Sequence, residues 1–301
     1  MARLVFMHVP KCAGTAFAKS LIEAVEARAV MWDGMDRTLF GDFPDLGDLP
    51  ENLRRRILLG GRIPGAYDFV GGHMALTTLR TSFPTAPLVT LMREPRVRLL
   101  SHFLYCRALS DATLASWGRW AERISLARGR LNDVVTNPLL ASQLDNVFAR
   151  FLLHPHAGIP AGDFIPEERH RVLYREAVVR LDEFGHVDLL ENPNLERNIG
   201  NWLGRNFRMI HDNVTAPAEK YPLDLSDEID PQTLGRISRL SAIDLQLWIH
   251  VARRPAPLAS RLLHRELGAG ESEALALACR GHHELVLENT SGLACPVLQR
   301  C

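Results

Sequence analysis

Residues 4–16 read LVFMHVPKCAGTA, and this stretch indicates the fold of the chain more clearly than any other. Residues 4–9 form a short apolar run, which is typical of a strand buried on both faces. Pro10 to Thr15 follow as a loop of small residues with one lysine. The residues after the loop carry apolar side chains at helical spacing, namely Phe17, Leu21, Ile22 and Val25. The stretch therefore predicts a buried strand, a tight loop and a helix over residues 16–29.

Two further predicted strands end in residues that can carry charge or protons. Residues 67–72 (YDFVGG) precede His73, and residues 87–92 (PLVTLM) precede Arg93. Pro95 then marks a helix start, because its fixed φ suits the first turn. Strands separated by helices predict an α/β fold with a central, mostly parallel sheet flanked by helices. Ligands bind at the carboxyl ends of such strands, so we expect Lys11, His73 and Arg93 to converge on one crevice.

The rest of the chain is assigned from the same signals. We expect an irregular segment at 33–66 with one helix near residues 52–59, and a helical region at 112–153 that is broken at Asn137-Pro138. A strand is predicted at 182–189. Two further helices are predicted, one from Asn192-Pro193 to Gly204 and a long one from Pro231 to just before Pro255. Residues 1–254 are thus predicted to form one α/β domain, with residues 255–301 as a C-terminal helical tail.

Composition and charge exclude several classes of protein. The 301 residues are 47% hydrophobic, which excludes a mainly disordered chain, and 35 basic side chains balance 35 acidic ones. A net charge of zero argues against a general nucleic-acid binder. The sequence contains no run of about 18 apolar residues, so no transmembrane helix is predicted. The first apolar run is also too short for a signal peptide. We therefore expect a cytoplasmic protein with no integral membrane segment.

The cysteines indicate neither a disulfide framework nor a zinc site. Their number is odd and their spacing wide: Cys12, Cys106, Cys279, Cys295 and Cys301. We expect reduced thiols and no metal. The alternative is a metal cluster formed by the last three cysteines together with His282 and His283, although structural zinc sites usually have closer ligand pairs.

The three strand ends have the chemistry of an anion site. Backbone N–H groups at a helix N-terminus, together with the Lys11 ammonium, can hold a phosphate, although the order differs from the GxxxxGK[ST] motif. Gly71-Gly72 allow close approach of a ligand to His73, a candidate general base. Arg93 and Ser101, eight residues later, can receive a second phosphate. Each strand end also has a structural alternative. The loop after the first strand would be an ordinary connection with a surface lysine, and His73 would be a structural histidine. The third strand end would carry a solvated cluster of Arg93, Arg96 and Arg98 whose charge is offset by Glu94.

These motifs resemble those of the sulfotransferases that use 3′-phosphoadenosine 5′-phosphosulfate (PAPS). HVPKCAGTA (residues 8–16), GGH (71–73) and LMREPRVRLLSHF (91–103) are closest to the carbohydrate branch, the heparan sulfate 2-O and 6-O type. LDNVFAR (144–150) and DLQLW (244–248) are weaker similarities. The resemblance covers about residues 3–252. It implies a P-loop-like three-layer fold. It also implies that the protein is a soluble, bacterial-type member of this sulfotransferase family.

The resemblance also implies a role for each site residue. Lys11 would stabilise the leaving phosphate, and His73 would be the base, with His8, His102 or a carboxylate as alternatives. PAPS is implied as co-substrate, with 3′-phosphoadenosine 5′-phosphate (PAP) as product and no metal required. The implied nucleotide-binding residues are Pro10, Lys11, Cys12, Ala13, Gly14, Thr15, Ala16, Arg93 and Ser101.

The acceptor and two other functions remain open from the sequence. A saccharide hydroxyl, on a carbohydrate or glycosylated molecule, is implied by the resemblance, and residues 33–66 and 107–180 are expected to shape its site. The triplet Arg54-Arg55-Arg56 is one local basic patch. The alternatives are a P-loop-like kinase or nucleotide-binding protein, and a catalytically degenerate PAP-binding protein. The sequence indicates no oligomeric state.

Overall fold

The computed structural model describes residues 2–36, 39, 51–54, 57–58, 62–117, 120–210, 225 and 227–253. The predicted C-terminal tail at 255–301 lies outside these ranges. So do Arg55, Arg56 and the possible metal cluster from Cys279 onward. Within the described ranges, no helix combines the length and apolar character that crossing a membrane requires.

A parallel sheet forms the centre of the molecule, as predicted. Its strands are β1 (Leu4–Met7), β2 (Val30–Asp36), β3 (Ile57–Leu58), β4 (Phe69–His73), β5 (Leu88–Met92) and β6 (His186–Leu189). They lie side by side in the order β3-β2-β4-β1-β5-β6, and every pairing is parallel. The four strands predicted from the sequence correspond to β1, β4, β5 and β6. The order places β1 between β4 and β5, so three predicted strand ends are neighbours.

The predicted irregular segment at 33–66 was wrong where β2 and β3 form. The sequence of β2, VMWDGMD, lacks a regular alternation because Asp33 and Gly34 interrupt it, and its pairing with β4 shifts register between Trp32 and Gly34. The predicted helix near residues 52–59 is a single turn, Glu51–Arg54, which we call α2. Ile57 and Leu58, placed in that helix by the prediction, belong to β3.

Twelve further α-helices are described besides α2. They are α1 (Gly14–Ala24), α3 (Leu76–Ser82), α4 (Pro95–Ala108), α5 (Asp111–Ala115), α6 (Trp120–Leu126), α7 (Leu131–Thr136), α8 (Ala141–Leu144), α9 (Val147–Leu153), α10 (His170–Leu181), α11 (Leu195–Leu203), α12 (Pro231–Leu240) and α13 (Ala242–Arg253). α11 ends at Gly204, which has φ 64°, as the sequence predicted.

Helices cover both faces of the sheet and make three layers. Alternate residues of a strand face opposite sides. On one side of β1, Leu4 and Phe6 pack with α1 and α11, whereas Val5 and Met7 pack on the other side with α3, α9, α10 and α13. A third apolar cluster joins α4 to α7 and α12. Because α4 follows the end of β5, this helical cluster begins at the same edge of the sheet as the predicted site.

Two helical predictions need correction. The region 112–153 is a series of short helices rather than one broken helix, although the predicted break at Asn137-Pro138 is present. There the Asn137 side chain accepts a hydrogen bond from the Leu139 N–H at 3.0 Å. The predicted long helix after Pro231 is two helices, α12 and α13, separated at Ser241.

Buried capping explains why α13 begins where it does. The Asn146 Oδ1 accepts hydrogen bonds from the N–H groups of Ile243 (2.7 Å) and Asp244 (3.2 Å). In return, the Asp244 carboxylate accepts from the N–H groups of Phe148 and Ala149, both at 2.8 Å. Each side chain thus satisfies N–H groups that a helix start leaves without partners. The LDNVFAR and DLQLW motifs therefore have a structural function in this protein.

Candidate functional site

The predicted site residues follow three adjacent parallel strands. Met7 at the end of β1 pairs with Gly72 of β4 on one side and with Thr90 of β5 on the other. The His8 N–H continues the ladder by donating to the Gly72 carbonyl at 3.0 Å. This register brings the loop after β1, His73 at the end of β4 and Arg93 after β5 to one edge of the sheet.

The loop between β1 and α1 has a strained backbone. Lys11 and Ala13 both adopt positive φ, 68° and 53°, although neither is glycine. This left-handed conformation costs roughly 1–2 kcal/mol per residue with a Cβ atom. Such strain is concentrated at functional sites, where it holds backbone groups in a required direction. Ala13 is the N-cap of α1, and no side chain caps this helix by a hydrogen bond. The N–H groups of its first turn are therefore suitable donors for an anion.

Exposure divides the loop into a buried base and an accessible rim. Of the seven predicted nucleotide-binding residues in the loop, four are buried and three are partly exposed. The buried ones are Cys12, Ala13, Gly14 and Ala16, and the partly exposed ones are Pro10, Lys11 and Thr15. Burial raises the pKa of the Cys12 thiol to about 12, so this cysteine is a neutral packing group at pH 7.

Gly14 leaves room for the His8 imidazole beneath the loop. A Cβ atom at Gly14 would lie 1.9 Å from ring atoms of His8, whose ring is stacked on Phe6 and Trp32 with centroid separations of 5.5 Å. The ring also packs against His73 at a centroid separation of 4.3 Å, so three aromatic neighbours restrict its movement.

We expect Gly14→Ala to lower the free energy of unfolding by about 1–3 kcal/mol, the usual cost of overpacking a core. Urea unfolding measures it. The matched control is Gly235→Ala in α12, where nothing lies within 4 Å of the added atom. The free energy of unfolding of that control should rise by about 0.5–1 kcal/mol, because alanine is more stable than glycine in a helix interior. A Gly14→Ala protein as stable as the wild type would contradict this packing.

The Lys11 side chain reaches toward α4. Its Nζ atom lies 4.4 Å from the centroid of the Tyr105 ring, which is a cation–π contact. The Lys11 carbonyl accepts a hydrogen bond from the Arg93 Nη1 at 3.3 Å. This hydrogen bond joins the loop directly to the start of α4, and it links the two residues that carry the cations of the predicted site.

The charged residues at the start of α4 are buried, so the alternative of a solvated arginine cluster was wrong. Arg93, Arg96 and Arg98 are 3%, 5% and 2% exposed. Glu94 is the N-cap of α4 and accepts from the Val97 N–H at 2.8 Å, while its other oxygen pairs with the Arg96 Nε at 2.5 Å. Glu94 and Arg96 thus neutralise one another at the helix start, whereas the Arg93 side chain contacts the Lys11 loop. Ser101 is also buried, two turns along the same helix.

Arg98 is a buried cation that the sequence analysis did not assign to the site. Its Nη2 donates to the Gln143 carbonyl at 3.2 Å. Its Nε and Nη1 have no hydrogen-bond partner among the described residues. Burial lowers the pKa of Arg98, and the neighbouring cation Arg93 acts in the same direction. Positions 98, 101 and 105 have the i, i+3, i+7 spacing of one helix face, and that spacing was the available signal.

His73 is held by a hydrogen bond to the backbone of β1. Its Nδ1 lies 2.8 Å from the His8 carbonyl oxygen. Because a carbonyl only accepts, Nδ1 carries the proton, and Nε2 is the basic nitrogen of the neutral ring. Burial lowers the pKa of His73, while the hydrogen bond to His8 and the charge of Asp33 act in the opposite direction. The imidazole is therefore neutral at pH 7, which is the form a general base requires.

The two alternative histidines are less accessible than His73. His8 and His102 are buried, whereas His73 is partly exposed. Burial lowers the pKa of His102 to about 3, and its Nε2 lies 2.9 Å from the Gln143 Oε1. Burial also lowers the pKa of His8 well below the usual value. His73 is thus the histidine of this cluster that can meet a substrate from solvent.

Carboxylates from β2 complete the surroundings of the site. Asp36 accepts hydrogen bonds from the Ala75 N–H at 2.6 Å and from the Thr78 hydroxyl at 3.1 Å, so it holds the start of α3. Asp33 lies in electrostatic range of both His73 and Tyr105. Among the described residues, no group of three or more histidine, cysteine, aspartate or glutamate side chains is arranged to hold a metal ion.

Comparisons with known proteins add no family assignment. No protein-family model matches the sequence, and a search of curated proteins finds no match.

Proposed function

We propose that the protein is a PAPS-dependent sulfotransferase that moves the sulfuryl group of PAPS to a hydroxyl of a carbohydrate or glycosylated acceptor. One observation carries the proposal: Lys11, His73 and Arg93 follow three neighbouring parallel strands, and Arg93 donates to the Lys11 carbonyl. The site combines a cationic loop at a helix N-terminus, a buried guanidinium and a neutral imidazole, which is the set that the reaction requires.

The reaction is an in-line displacement at sulfur. The acceptor oxygen forms a bond to sulfur while the bond between sulfur and the bridging phosphate oxygen breaks, and the electron pair of that bond stays on the departing PAP. His73 Nε2 takes the acceptor proton, and the Lys11 ammonium stabilises the charge on the leaving oxygen. Positioning and charge stabilisation are the main contributions of the protein, as in phosphoryl transfer.

The two phosphates of the nucleotide are assigned to different elements. The N–H groups of residues 12–16 and the Thr15 hydroxyl would hold the 5′-phosphate at the start of α1. Arg93 and Ser101 of the α4 region would hold the 3′-phosphate, which distinguishes PAPS from adenylyl sulfate. Protein cations carry the charge in this scheme, so no metal is required. The cytoplasmic location and the saccharide acceptor stay predictions, and a mass-spectrometric acceptor screen with PAPS tests the latter.

Calorimetric titration with PAP, ADP and ATP–Mg²⁺ tests the proposal. We expect PAP to bind most tightly, because only PAP carries a 3′-phosphate for Arg93 and Ser101. Tighter binding of ATP–Mg²⁺ would overturn the proposal in favour of a kinase. PAP binding without transfer to any acceptor in the screen would instead favour the degenerate PAP-binding protein.

We expect Arg93→Ala to weaken PAP binding by about 1.5–3 kcal/mol, roughly 10- to 150-fold, the range for a hydrogen bond to a charged group. Calorimetry measures the loss, and the melting temperature shows whether the variant folds. Arg130→Ala, which removes an exposed arginine at the start of α7, is the control and should bind PAP like the wild type. An unchanged PAP affinity in a folded Arg93→Ala protein would contradict the assignment.

A further inference from the structure

Asp33 occupies a bulge in β2 beside the end of β4. Trp32 pairs with Gly71 and Gly34 pairs with Gly72, so Asp33 is the extra residue between two paired positions. Its φ of 69° is the left-handed conformation. Bulges of this kind occur next to active sites, where they redirect a side chain. Met35, two residues later, pairs with His73, which places the bulge directly beside that histidine.

Glycines allow β2 to approach β4 at this bulge. A Cβ atom at Gly72 would lie 2.3 Å from the Gly34 carbonyl oxygen, and one at Gly71 would lie 2.8 Å from the Trp32 ring. Backbone atoms cannot move aside as a flexible side chain can. The glycine pair before His73, first interpreted as room for a ligand, thus also makes room for the bulge.

Asp33 is the acidic member of the charged cluster at this edge. Burial lowers the pKa of His73 and the negative charge of Asp33 opposes that shift, whereas burial raises the pKa of Tyr105 and the Asp33 charge acts in the same direction. The Lys11 Nζ lies 4.4 Å from the centroid of the Tyr105 ring, so the same tyrosine that responds to the Asp33 charge is in contact with an ammonium group. Among the described residues, His8, whose ring centroid is 4.3 Å away, and His102 on α4 are further titratable groups near His73.

We infer that Asp33 is a positioning residue for His73. The Asp33 carboxylate stabilises the imidazolium that forms when His73 takes the proton of the acceptor hydroxyl. This inference deepens the proposed function and depends on it for the catalytic step. During transfer the acceptor O–H bond breaks and its proton goes to Nε2, while Nδ1 keeps its hydrogen bond to the His8 carbonyl. The ring then carries a positive charge in a partly buried setting, and Asp33 provides the compensating negative charge.

The two informative substitutions are Asp33→Asn and Asp33→Gly. Asparagine and glycine both tolerate positive φ, so either variant can keep the bulge while losing the charge. Asp133→Asn is the matched control, because it removes one exposed carboxylate from the first turn of α7. Melting temperatures of all variants identify any that fail to fold.

The first readout needs neither nucleotide nor acceptor. NMR titration of the labelled histidines should show the pKa of His73 lower by about 1 unit in Asp33→Asn and Asp33→Gly, and unchanged in Asp133→Asn. A His73 pKa equal to that of the wild type in both folded Asp33 variants would overturn the inference.

The second readout separates this inference from the proposed function. In the transfer assay, kcat should fall by about 3- to 10-fold in both Asp33 variants, because one pKa unit corresponds to at most a tenfold change. PAP affinity should not change, and the acid limb of the kcat–pH profile should move to lower pH. An unchanged kcat beside a shifted His73 pKa would refute the positioning role. If the wild type transfers no sulfuryl group at all, the proposed function fails, and the NMR shift alone still establishes the Asp33–His73 pair.

Discussion

Replacing His73 with alanine is expected to lower kcat for sulfuryl transfer by about 10²- to 10⁴-fold, the usual contribution of a general base. The expected size follows from the geometry, because the His8 carbonyl fixes the Nδ1 proton and leaves Nε2 as the basic nitrogen. PAP affinity should not change, since neither phosphate is assigned to His73. Initial rates with the acceptor found by screening, together with calorimetry of PAP, measure the two effects separately.

The pH dependence provides a second test of His73. Burial lowers its pKa below the usual value near 6.5, so the neutral, basic form should persist from pH 8 down to about pH 6.5. The rate should therefore fall only below that pH, as the ring becomes protonated. His170→Ala, in α10, is the control and should keep wild-type rates. A folded His73→Ala protein with near-normal kcat would show that the base lies elsewhere.

Replacing Lys11 with methionine is expected to lower kcat by about 10²- to 10³-fold, as the loss of one preorganised donor to a developing negative charge does in other enzymes. Methionine keeps an unbranched apolar side chain over the Tyr105 ring and removes only the charge. Because the ammonium acts on charge that develops during transfer, the loss of PAP affinity should be small by comparison. The same rate and binding assays measure both.

Lys19 provides a matched control for Lys11. It lies on the same helix and loop unit, in α1, but its side chain is exposed. Lys19→Met should therefore transfer at the wild-type rate with the same loss of net charge. Equal rates in the two methionine variants would remove Lys11 from the reaction.

The strand ends could be predicted because each depends on local sequence. The apolar run before Pro10, the GGH triplet and the run before Arg93 each mark a strand end without knowledge of the rest of the chain. Parallel pairing then follows from the helices between them. The structure confirms this part, and it joins the Lys11 loop to Arg93 by a direct hydrogen bond.

The other parts of the site depend on contacts between distant segments. Asp33 is presented by a bulge that exists only because Gly72 leaves space for the Gly34 carbonyl, and no local pattern encodes that approach. Arg98 entered the sequence analysis only through the alternative of a solvated cluster, yet it is buried and donates to the Gln143 carbonyl. The division of the last helix at Ser241 likewise depends on Asn146, which lies far from it in the sequence.

Hydrogen–deuterium exchange with saturating PAP tests the central claim most directly, namely that one nucleotide contacts both the loop after β1 and the start of α4. The account predicts slower exchange in peptides that cover residues 8–17 and 93–105, with no change in a peptide that covers α10. PAP that slows exchange in neither segment, or in one of them alone, would contradict the claim.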